Sequence, residues 1–445
     1  MAVSYGGQRN WQPRGAATNE FIVEVGFEKK IFYQAELRTI FGRLNQFRTL
    51  DITKGERDGE MVELSGGGET SPVWEKTFGE ENRDCRFTYE EPLFGPRTFG
   101  QKDVGPGNFT AYKHEEIFAV QIDTPTFPLL DRESQLRQSG MIPMARVKPD
   151  KKNAIRIYKE KWTEIDAFCA ITDGASQPML DTTNGGLGGS VSYALPGASA
   201  GQNRSPWNTV VCSATLGFTT PNFTRATHEG TLSTAVAALT NAAADGFNYE
   251  THKWVSAMLP TLRFPGIKIG NSEYRAACLI DPWLIQRMAK DAGSLSDLYV
   301  YATPRSMKNP ALDGMQTIEL DNILYIPSEY WKYFRPTANG STMVYLPSGA
   351  DPFDPSFTNT SNICMAYYFT AGALLRGRST KVWFTASGEG EPDGGHKKGT
   401  TLAMHWDDSW KRTEWTTKDG RSVIANDRSL MLYAYDPGPG VSYAA

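Results

Sequence analysis

The chain has 445 residues, of which 40% are hydrophobic and 22% are charged, and its formal net charge is -4. This charge balance lacks the basic excess of proteins that coat nucleic acid, so that class is excluded. Aromatic residues make up 12% of the chain, alongside 42 glycines and 26 prolines, which favours a sheet-rich protein with many shaped loops. At this length the chain can form two or three hydrophobic cores, or one elaborate unit.

The cysteines are odd in number, far apart and without a CxxC pair: Cys85, Cys169, Cys212, Cys278 and Cys364. This scattered set predicts reduced thiols made in a cytoplasm, in place of a disulfide framework or a zinc site. The N-terminal segment lacks the apolar run of a signal peptide, and no stretch of about 18 apolar residues occurs. We therefore expect a soluble protein that is not exported through a signal peptide.

The first two predicted elements have no core of their own. Residues 1–50 combine a polar, glycine-bearing arm with an anchoring helix at about 29–47, in which Ile40, Phe41 and Leu44 fall close to one face. Residues 80–122 alternate in apolar and charged character around a tip rich in glycine and proline, which predicts an extended loop of two antiparallel strands. A two-stranded ribbon with charges on both faces is marginal in water. We therefore expect it to lie on another surface, such as a neighbouring subunit.

The longest predicted helix covers residues 150–173. Its apolar stripe recurs at steps of three and four residues and consists of Ile155, Tyr158, Trp162, Ile165 and Cys169. Pro149 and Asp150 predict the start of the helix, and Gly174 predicts its end. A helix of this length needs a partner surface, so we expect strands elsewhere in the chain to pack along it.

The remainder of the chain predicts an α+β fold. Residues 177–222 are rich in Gly and Ser and predict a surface insertion. Helices are predicted at 231–244 and 249–259. Beyond them the sequence EYRAACLIDP predicts a buried strand followed by a helix, and strands recur between residues 362 and 435, the first of them continuous over 362–375.

Signatures of enzymes are absent from the sequence. The run GGLGGS lacks the spacing of a dinucleotide-binding turn, and neither a P-loop nor HExxH occurs. We predict no catalytic residue, no cofactor and no metal, and hence no enzymatic activity. One rival hypothesis is a metal-dependent hydrolase that uses His396, His405 and Asp407, although carboxylates in a hairpin are usually solvated turn residues.

A second rival concerns the aromatic residues of the last third, namely Trp383, Trp406, Trp410 and Trp415. They could form a sugar-binding platform, as in a virion accessory or carbohydrate-binding β-rich protein. Alternating aromatic residues in strands pack more often within a core.

Several segments together resemble a known family. The run from FTYEEPLFGPRTFG to KEKWTEIDAF is similar to the major capsid proteins of tailed double-stranded DNA bacteriophages, specifically the group typified by coliphage N4. AACLIDPWLIQRMAKD, NPALDGMQTIELDNILYIP and TAGALLRG resemble further segments of that family, in the same order.

The resemblance implies the HK97-like capsid fold, with segments in the following order. These are an N-terminal arm and anchoring helix at 1–50, an extended loop at 80–122, a peripheral domain at 123–261 with a spine helix at 150–173, an axial domain at 262–360, and C-terminal strands at 361–445 that return to the peripheral domain. Candidate inter-subunit contacts are the charged residues of the extended loop and of the spine helix: Arg86, Arg97, Lys102, Lys113, Glu115, Glu116, Lys152, Arg156, Lys159 and Glu160.

The implied function is self-assembly into the hexamers and pentamers of an icosahedral head that encloses packaged double-stranded DNA. The implied location is the virion, after synthesis in the host bacterial cytoplasm. The expected partners are other copies of the chain, a portal, and scaffolding or cement proteins, with no membrane and no specific DNA contacts.

Overall fold

The structure is a computed structural model, and it describes the following residues: 38–44, 70–77, 84–90, 112–118, 120–123, 127–128, 144–173, 192–194, 209–212, 236, 238–242, 245–260, 265–269, 272–290, 317–335, 342–344, 361–387, 401–413 and 428–438. In these ranges the helices are α1 (Ile40–Leu44), α2 (Met144–Asp173), α3 (Tyr249–Met258), α4 (Pro282–Lys290) and a 3-10 helix (Glu329–Tyr333). None of the helices in the described ranges is long and apolar enough to cross a membrane.

The strands of the same ranges are β1 (Val73–Thr77), β2 (Asp84–Glu90), β3 (Tyr112–Phe118), β4 (Val120–Asp123), β5 (Phe127–Pro128), β6 (Ser192–Ala194), β7 (Thr209–Val211), β8 (Ile267–Ile269), β9 (Ser272–Tyr274), β10 (Ala276–Ile280), β11 (Ile318–Leu320), β12 (Ile323–Pro327), β13 (Thr342–Val344), β14 (Ile363–Phe369), β15 (Leu374–Ser387), β16 (Thr401–Arg412) and β17 (Ser429–Tyr435). The predicted α+β composition is therefore observed.

A six-stranded mixed sheet has the order β11-β12-β10-β14-β17-β7. Every residue of β10 and β14 is buried. Because successive residues of a strand point to opposite faces, such strands need a cover on both sides. Ala277 and Leu279 face a core that includes α2 and the 3-10 helix, whereas Cys278 and Ile280 face a core that includes α3 and α4. The sheet is the middle layer of three.

Helix α2 is longer than predicted. It ends at Asp173, as the sequence indicates, but it begins at Met144, so Asp150 lies inside the helix and does not cap it. Pro149 lies beyond the first turn of the helix, where it has no N–H to donate to the carbonyl four residues earlier. The predicted apolar stripe is buried except at Tyr158, which is half-buried, and every residue from 162 to 172 is buried. The C-terminal part of α2 is therefore enclosed on all sides, which a one-sided stripe does not predict.

The second sheet has five strands, in the order β1-β15-β16-β4, with β5 also pairing with β16. Its two longest strands, β15 and β16, are antiparallel, with a register shift between Arg378 and Val382. Helix α2 packs against β16, and the Ile171 carbonyl of the helix accepts a hydrogen bond from Arg412 Nη1 at 2.7 Å. Gly372, at φ +67°, turns the chain between β14 and β15. The predicted continuous strand over 362–375 is thus two strands in two different sheets.

The strands of residues 361–445 divide between the two sheets. β15 and β16 belong to the five-stranded sheet, whereas β14 and β17 lie in the six-stranded sheet beside β10. Both faces of β14 and β17 are apolar, which requires a sheet covered on both sides. The five-way division into domains, including the return of residues 361–445 to the peripheral domain, stays a prediction.

Two predictions for the region before α3 also change. The predicted insertion at 177–222 contains β7, a buried edge strand of the six-stranded sheet, so it is not only a surface loop. The predicted helix at 231–244 is wrong at residues 238–242, which are non-helical. There the backbone N–H and the hydroxyl of Thr240 both donate to Asp245 Oδ2 at 2.8 Å, which closes a loop.

The helices around the sheets agree better with their sequence signals. The predicted anchoring helix is seen as α1, with Phe41 and Leu44 buried, and the rest of the predicted range lies outside the described residues. Helix α3 starts where predicted, because Asn248 Oδ1 caps it by accepting from the Thr251 N–H at 2.9 Å. Helix α4 follows β10 as predicted.

Candidate assembly surface

The predicted extended loop contains a two-stranded antiparallel ribbon, β2 and β3. In its register Arg86 lies opposite Glu116, Phe87 opposite Glu115, and Tyr89 opposite Lys113. The ribbon strands are thus confirmed, and charged residues of opposite sign occupy at least one facing pair of positions. The tip of the loop, with Arg97 and Lys102, lies outside the described residues.

The base of the ribbon is anchored in its own subunit. Cys85 and Phe87 are buried in a small apolar cluster with Leu375 of β15, and Trp74 of β1 packs against this cluster. The Lys76 ammonium lies 5.3 Å from the centre of the Phe87 ring. The base of the ribbon therefore lies on another surface, as expected, and that surface belongs to its own subunit.

A buried ionic cluster lies between the strands that support this base. The Arg376 guanidinium donates to both carboxylate oxygens of Asp408, at 2.9 and 2.5 Å, and to Glu75 at 3.2 Å. Arg378 Nε lies 3.9 Å from the same Glu75 carboxylate. The Arg376 guanidinium also stacks 4.6 Å above the Trp410 ring. The cluster ties β1, β15 and β16 together by charge-assisted hydrogen bonds.

Helix α2 adds a further carboxyl group to this cluster. Asp166 is buried, and its Oδ1 atom has no hydrogen-bond partner. Burial raises the pKa of Asp166 well above its usual range, the Asp408 carboxylate raises it further, and Arg376 opposes the shift. The carboxyl group is therefore favoured in its neutral form. Sequence periodicity misses this site, since a lone Asp beside an apolar stripe is ordinarily a solvent-facing residue.

The charged residues predicted to face a neighbour from α2 are placed differently. Lys159 is fully buried, with its ammonium 5.7 Å from the centre of the Trp406 ring of β16. Arg156 is 7% exposed and lies 3.8 Å from Glu160, four residues on. Burial raises the pKa of Glu160, and Arg156 is the largest influence that opposes it. The predicted open charged face is thus wrong at Arg156 and Lys159, which pack inside the subunit.

The outward face of this part of α2 is less polar than predicted. Ala154 and Ile157 are exposed, and Lys161, one turn further, is half-buried. Ile157 is 38% exposed and is the only large hydrophobic residue classed as exposed among those that the structure describes. Lys152 also lies on α2, and its side chain is outside the described part of the chain.

The two rival sites find little support in the described residues. Trp406 and Trp410 are 1% and 2% exposed, so neither can stack against a sugar in solution. His405 lies on β16 opposite Asp123 and Trp383, whereas His396 and Trp415 lie outside the described residues. In the described ranges no group of three or more His, Cys, Asp or Glu residues is placed to hold a metal ion.

The cysteines, all of which the structure describes, are buried and form no disulfide. Burial raises the pKa of Cys212 to about 12 and raises the pKa values of Cys278 and Cys364 well above their usual range. A nucleophilic cysteine needs a lowered pKa, because the thiolate is the reactive form. These three thiols are therefore packing residues.

Comparison with known proteins gives a consistent result at the level of structure. No family model matches the sequence, and no curated protein matches it. The structure is similar to the capsid of Ralstonia phage GP4, with a TM-score of 0.51, 14% identity, and coverage of 84% of this chain and 90% of that chain. It is also similar to the cyanophage Pam1 capsid asymmetric unit, with a TM-score of 0.53, 11% identity, and coverage of 83% and 90%.

These similarities extend over most of both chains. The protein therefore has the fold of phage capsid chains, a mixed α+β fold.

Proposed function

We propose that this chain is the major capsid protein of a tailed double-stranded DNA bacteriophage, with an HK97-like fold. The observation that carries the proposal is the similarity to two phage capsid chains over 83–84% of its length. A match on this scale is much larger than a single common motif. Within this class, the segments quoted above favour the group typified by coliphage N4.

The proposed mechanism is assembly through the ribbon. Its base is fixed to β1 and β15 by the cluster around Phe87. We propose that the part of the loop beyond residue 90 lies across helix α2 of a neighbouring subunit. The exposed strip of α2 at Ala154 and Ile157 offers an apolar contact there, which a single subunit leaves in water.

Many such contacts would hold the shell together. In a ring of subunits each copy gives its ribbon to one neighbour and receives another, so modest contacts multiply around closed hexamers and pentamers. The proposed contact residues are those of the ribbon and those of α2 that remain outside the core: Arg86, Arg97, Lys102, Lys113, Glu115, Glu116, Lys152 and Glu160. Arg156 and Lys159 would instead hold α2 on its own sheet.

The proposed shell encloses double-stranded DNA without specific contacts. A net charge of -4 on 445 residues suits a container that does not adhere to its contents. Other proposed partners are a portal and scaffolding or cement proteins, in a virion assembled in the bacterial cytoplasm.

The test is electron microscopy of the purified full-length protein, together with the variant Ile157→Asp. We expect the wild-type protein to form shells or rings, and Ile157→Asp to remain a folded, unassembled subunit because its charge lies in the proposed contact. The matched control is Ala257→Asp, which places the same charge at an exposed position of α3. It should assemble normally.

The outcomes separate the two parts of the proposal. Wild-type protein that stays monomeric at high concentration would contradict a capsid function. Normal assembly of Ile157→Asp would contradict the ribbon contact on α2 and leave the capsid function intact.

A further inference from the structure

His252 lies in an unusual place for a histidine. It is on α3, its side chain is fully buried, and both ring nitrogens have partners. Nδ1 lies 2.6 Å from the Tyr325 hydroxyl of β12, and Nε2 lies 3.1 Å from Asp321 Oδ2. Asp321 is in the turn between β11 and β12, and its side chain is 49% exposed. Solvent therefore reaches one end of this arrangement and not the other.

The arrangement continues into the core as a chain of hydroxyl groups. The Tyr325 hydroxyl lies 3.3 Å from the Tyr368 hydroxyl of β14, which in turn hydrogen-bonds with the Cys278 thiol of β10. Burial raises the pKa values of all three groups well above their usual ranges. The hydroxyl and thiol groups are thus neutral, and His252 is the group in this hydrogen-bonded series that can take up a proton near neutral pH.

The direction of the hydrogen bonds follows from the carboxylate. An ionised Asp321 only accepts, so the neutral His252 donates to it from Nε2–H. Nδ1 then accepts from the Tyr325 O–H, and the Tyr325 oxygen accepts from Tyr368. If His252 takes up a proton, Nδ1 also becomes a donor and the Tyr325 O–H loses its acceptor.

We propose that His252, held between Tyr325 and Asp321, forms an acid-opened latch: it holds the N-terminal half of α3 on β12 and releases it when a proton on Nδ1 breaks the Tyr325 hydrogen bond and charges the buried ring. A second set of hydrogen bonds, which does not depend on pH, lies next to the latch. Arg275 donates from Nη1 to the Ser256 carbonyl at 3.1 Å and from its backbone N–H to the Asn322 carbonyl at 2.9 Å. An arginine stays charged at every relevant pH, so the C-terminal end of α3 should stay in place.

The charged groups around His252 set the direction of the effect. Burial lowers its pKa the most, Asp321 opposes this by hydrogen bond and charge, and Lys253 on the same helix lowers the pKa further. The Tyr249 ring stacks on the imidazole at 5.9 Å without adding charge. Because the closed state has the lower pKa, protons bind the open state more readily, and opening grows as the pH falls through about 6.5.

The latch is tested by hydrogen–deuterium exchange of the full-length protein at about pH 7.5 and pH 5.5, with protection corrected for the intrinsic exchange rate. We expect the amides of residues 249–255 to lose protection at the lower pH. The size of the loss depends on how far the pKa of His252 in the closed state lies below its pKa in the open state. Each unit of this difference that falls within the pH interval lowers the protection about tenfold. Helix α4 packs in the same core and has no histidine, so its protection should not change.

The variant His252→Gln supplies the matched control, since glutamine is neutral at both pH values. Protection of residues 249–255 in this variant should be the same at both pH values. Equal protection of 249–255 in the wild-type protein at both pH values would overturn the proposal, and this result does not depend on whether the variant folds. An equal acid-dependent loss in His252→Gln would overturn it as well.

Discussion

The two sheets differ in what is buried between them and their helices. The six-stranded sheet is covered by helices on both faces through apolar contacts, whereas the contact of α2 with the five-stranded sheet includes a set of buried charges. In the first sheet the residues of β10 and β14 are apolar or aromatic on both faces. In the second, Arg376, Asp408 and Glu75 are paired within the sheet, and Asp166 of α2 joins them. The ribbon also starts at the second sheet.

This difference separates two sources of stability. Apolar burial is non-directional and grows with the area removed from water, so the six-stranded sheet needs nothing outside the subunit. Buried charges are stable only while each one keeps its partners. The five-stranded sheet is therefore sensitive to the substitution of single charges and, under the proposed function, to a neighbouring copy.

The largest expected loss of stability comes from Phe168→Ala, in the apolar core beside the six-stranded sheet. The Phe168 ring is buried 4.9 Å from Trp331 and 5.6 Å from Phe334, measured between ring centres. Its removal should lower the free energy of unfolding by about 3–5 kcal/mol, equally at acidic and at neutral pH. Urea denaturation followed by tryptophan fluorescence measures this change. The control Ile157→Ala, at an exposed position of the same helix, should cost less than about 1 kcal/mol, and a comparable loss in both variants would contradict the packing of α2.

The next largest loss of stability is expected from Arg376→Met, in the ionic cluster of the five-stranded sheet. The substitution leaves the carboxylates of Asp408 and Glu75 buried without their shared cation, which should lower the free energy of unfolding by about 3 kcal/mol. The double variant Arg376→Met, Asp408→Asn removes both charges of the bidentate pair and keeps Glu75 beside Arg378. It should recover most of the loss in the same denaturation experiment. A double variant as unstable as the single one would mean that shape, and not charge, holds these strands.

The smallest effect is the pH dependence due to Asp166. The raised pKa of Asp166 means that the folded state binds its proton more tightly than the unfolded state does, so the stabilisation is complete at low pH and is lost as the pH rises through the folded-state pKa. Asp166→Asn keeps the shape and cannot ionise. The variant should therefore gain stability relative to the wild type as the pH rises from about 4 towards neutral, as measured by denaturation at several pH values. A difference that does not change with pH would contradict a titrating Asp166.

The elements that sequence predicts best are those with strong local patterns. The buried strand and helix around Asp281 and the helix that begins at Tyr249 are found where the local sequence predicts them. The two ribbon strands follow from alternation. In each case the signal lies within a few residues of the element that it predicts.

Features that depend on distant residues were beyond the reach of these patterns. Lys159 is buried because Trp406, far along the chain, lies under its ammonium. The strand predicted over 362–375 divides between two sheets because Gly372 turns the chain there. Asp166 is unexposed because β16 places Asp408 and Trp410 beside α2, and no local spacing encodes that contact.

The most direct test of the central claim is cryo-electron microscopy of the purified full-length protein at high concentration and near-neutral pH. A capsid function predicts closed shells, or rings of five and six subunits, with the ribbon of one copy crossing α2 of the next. Particles that are all single subunits under these conditions would contradict it.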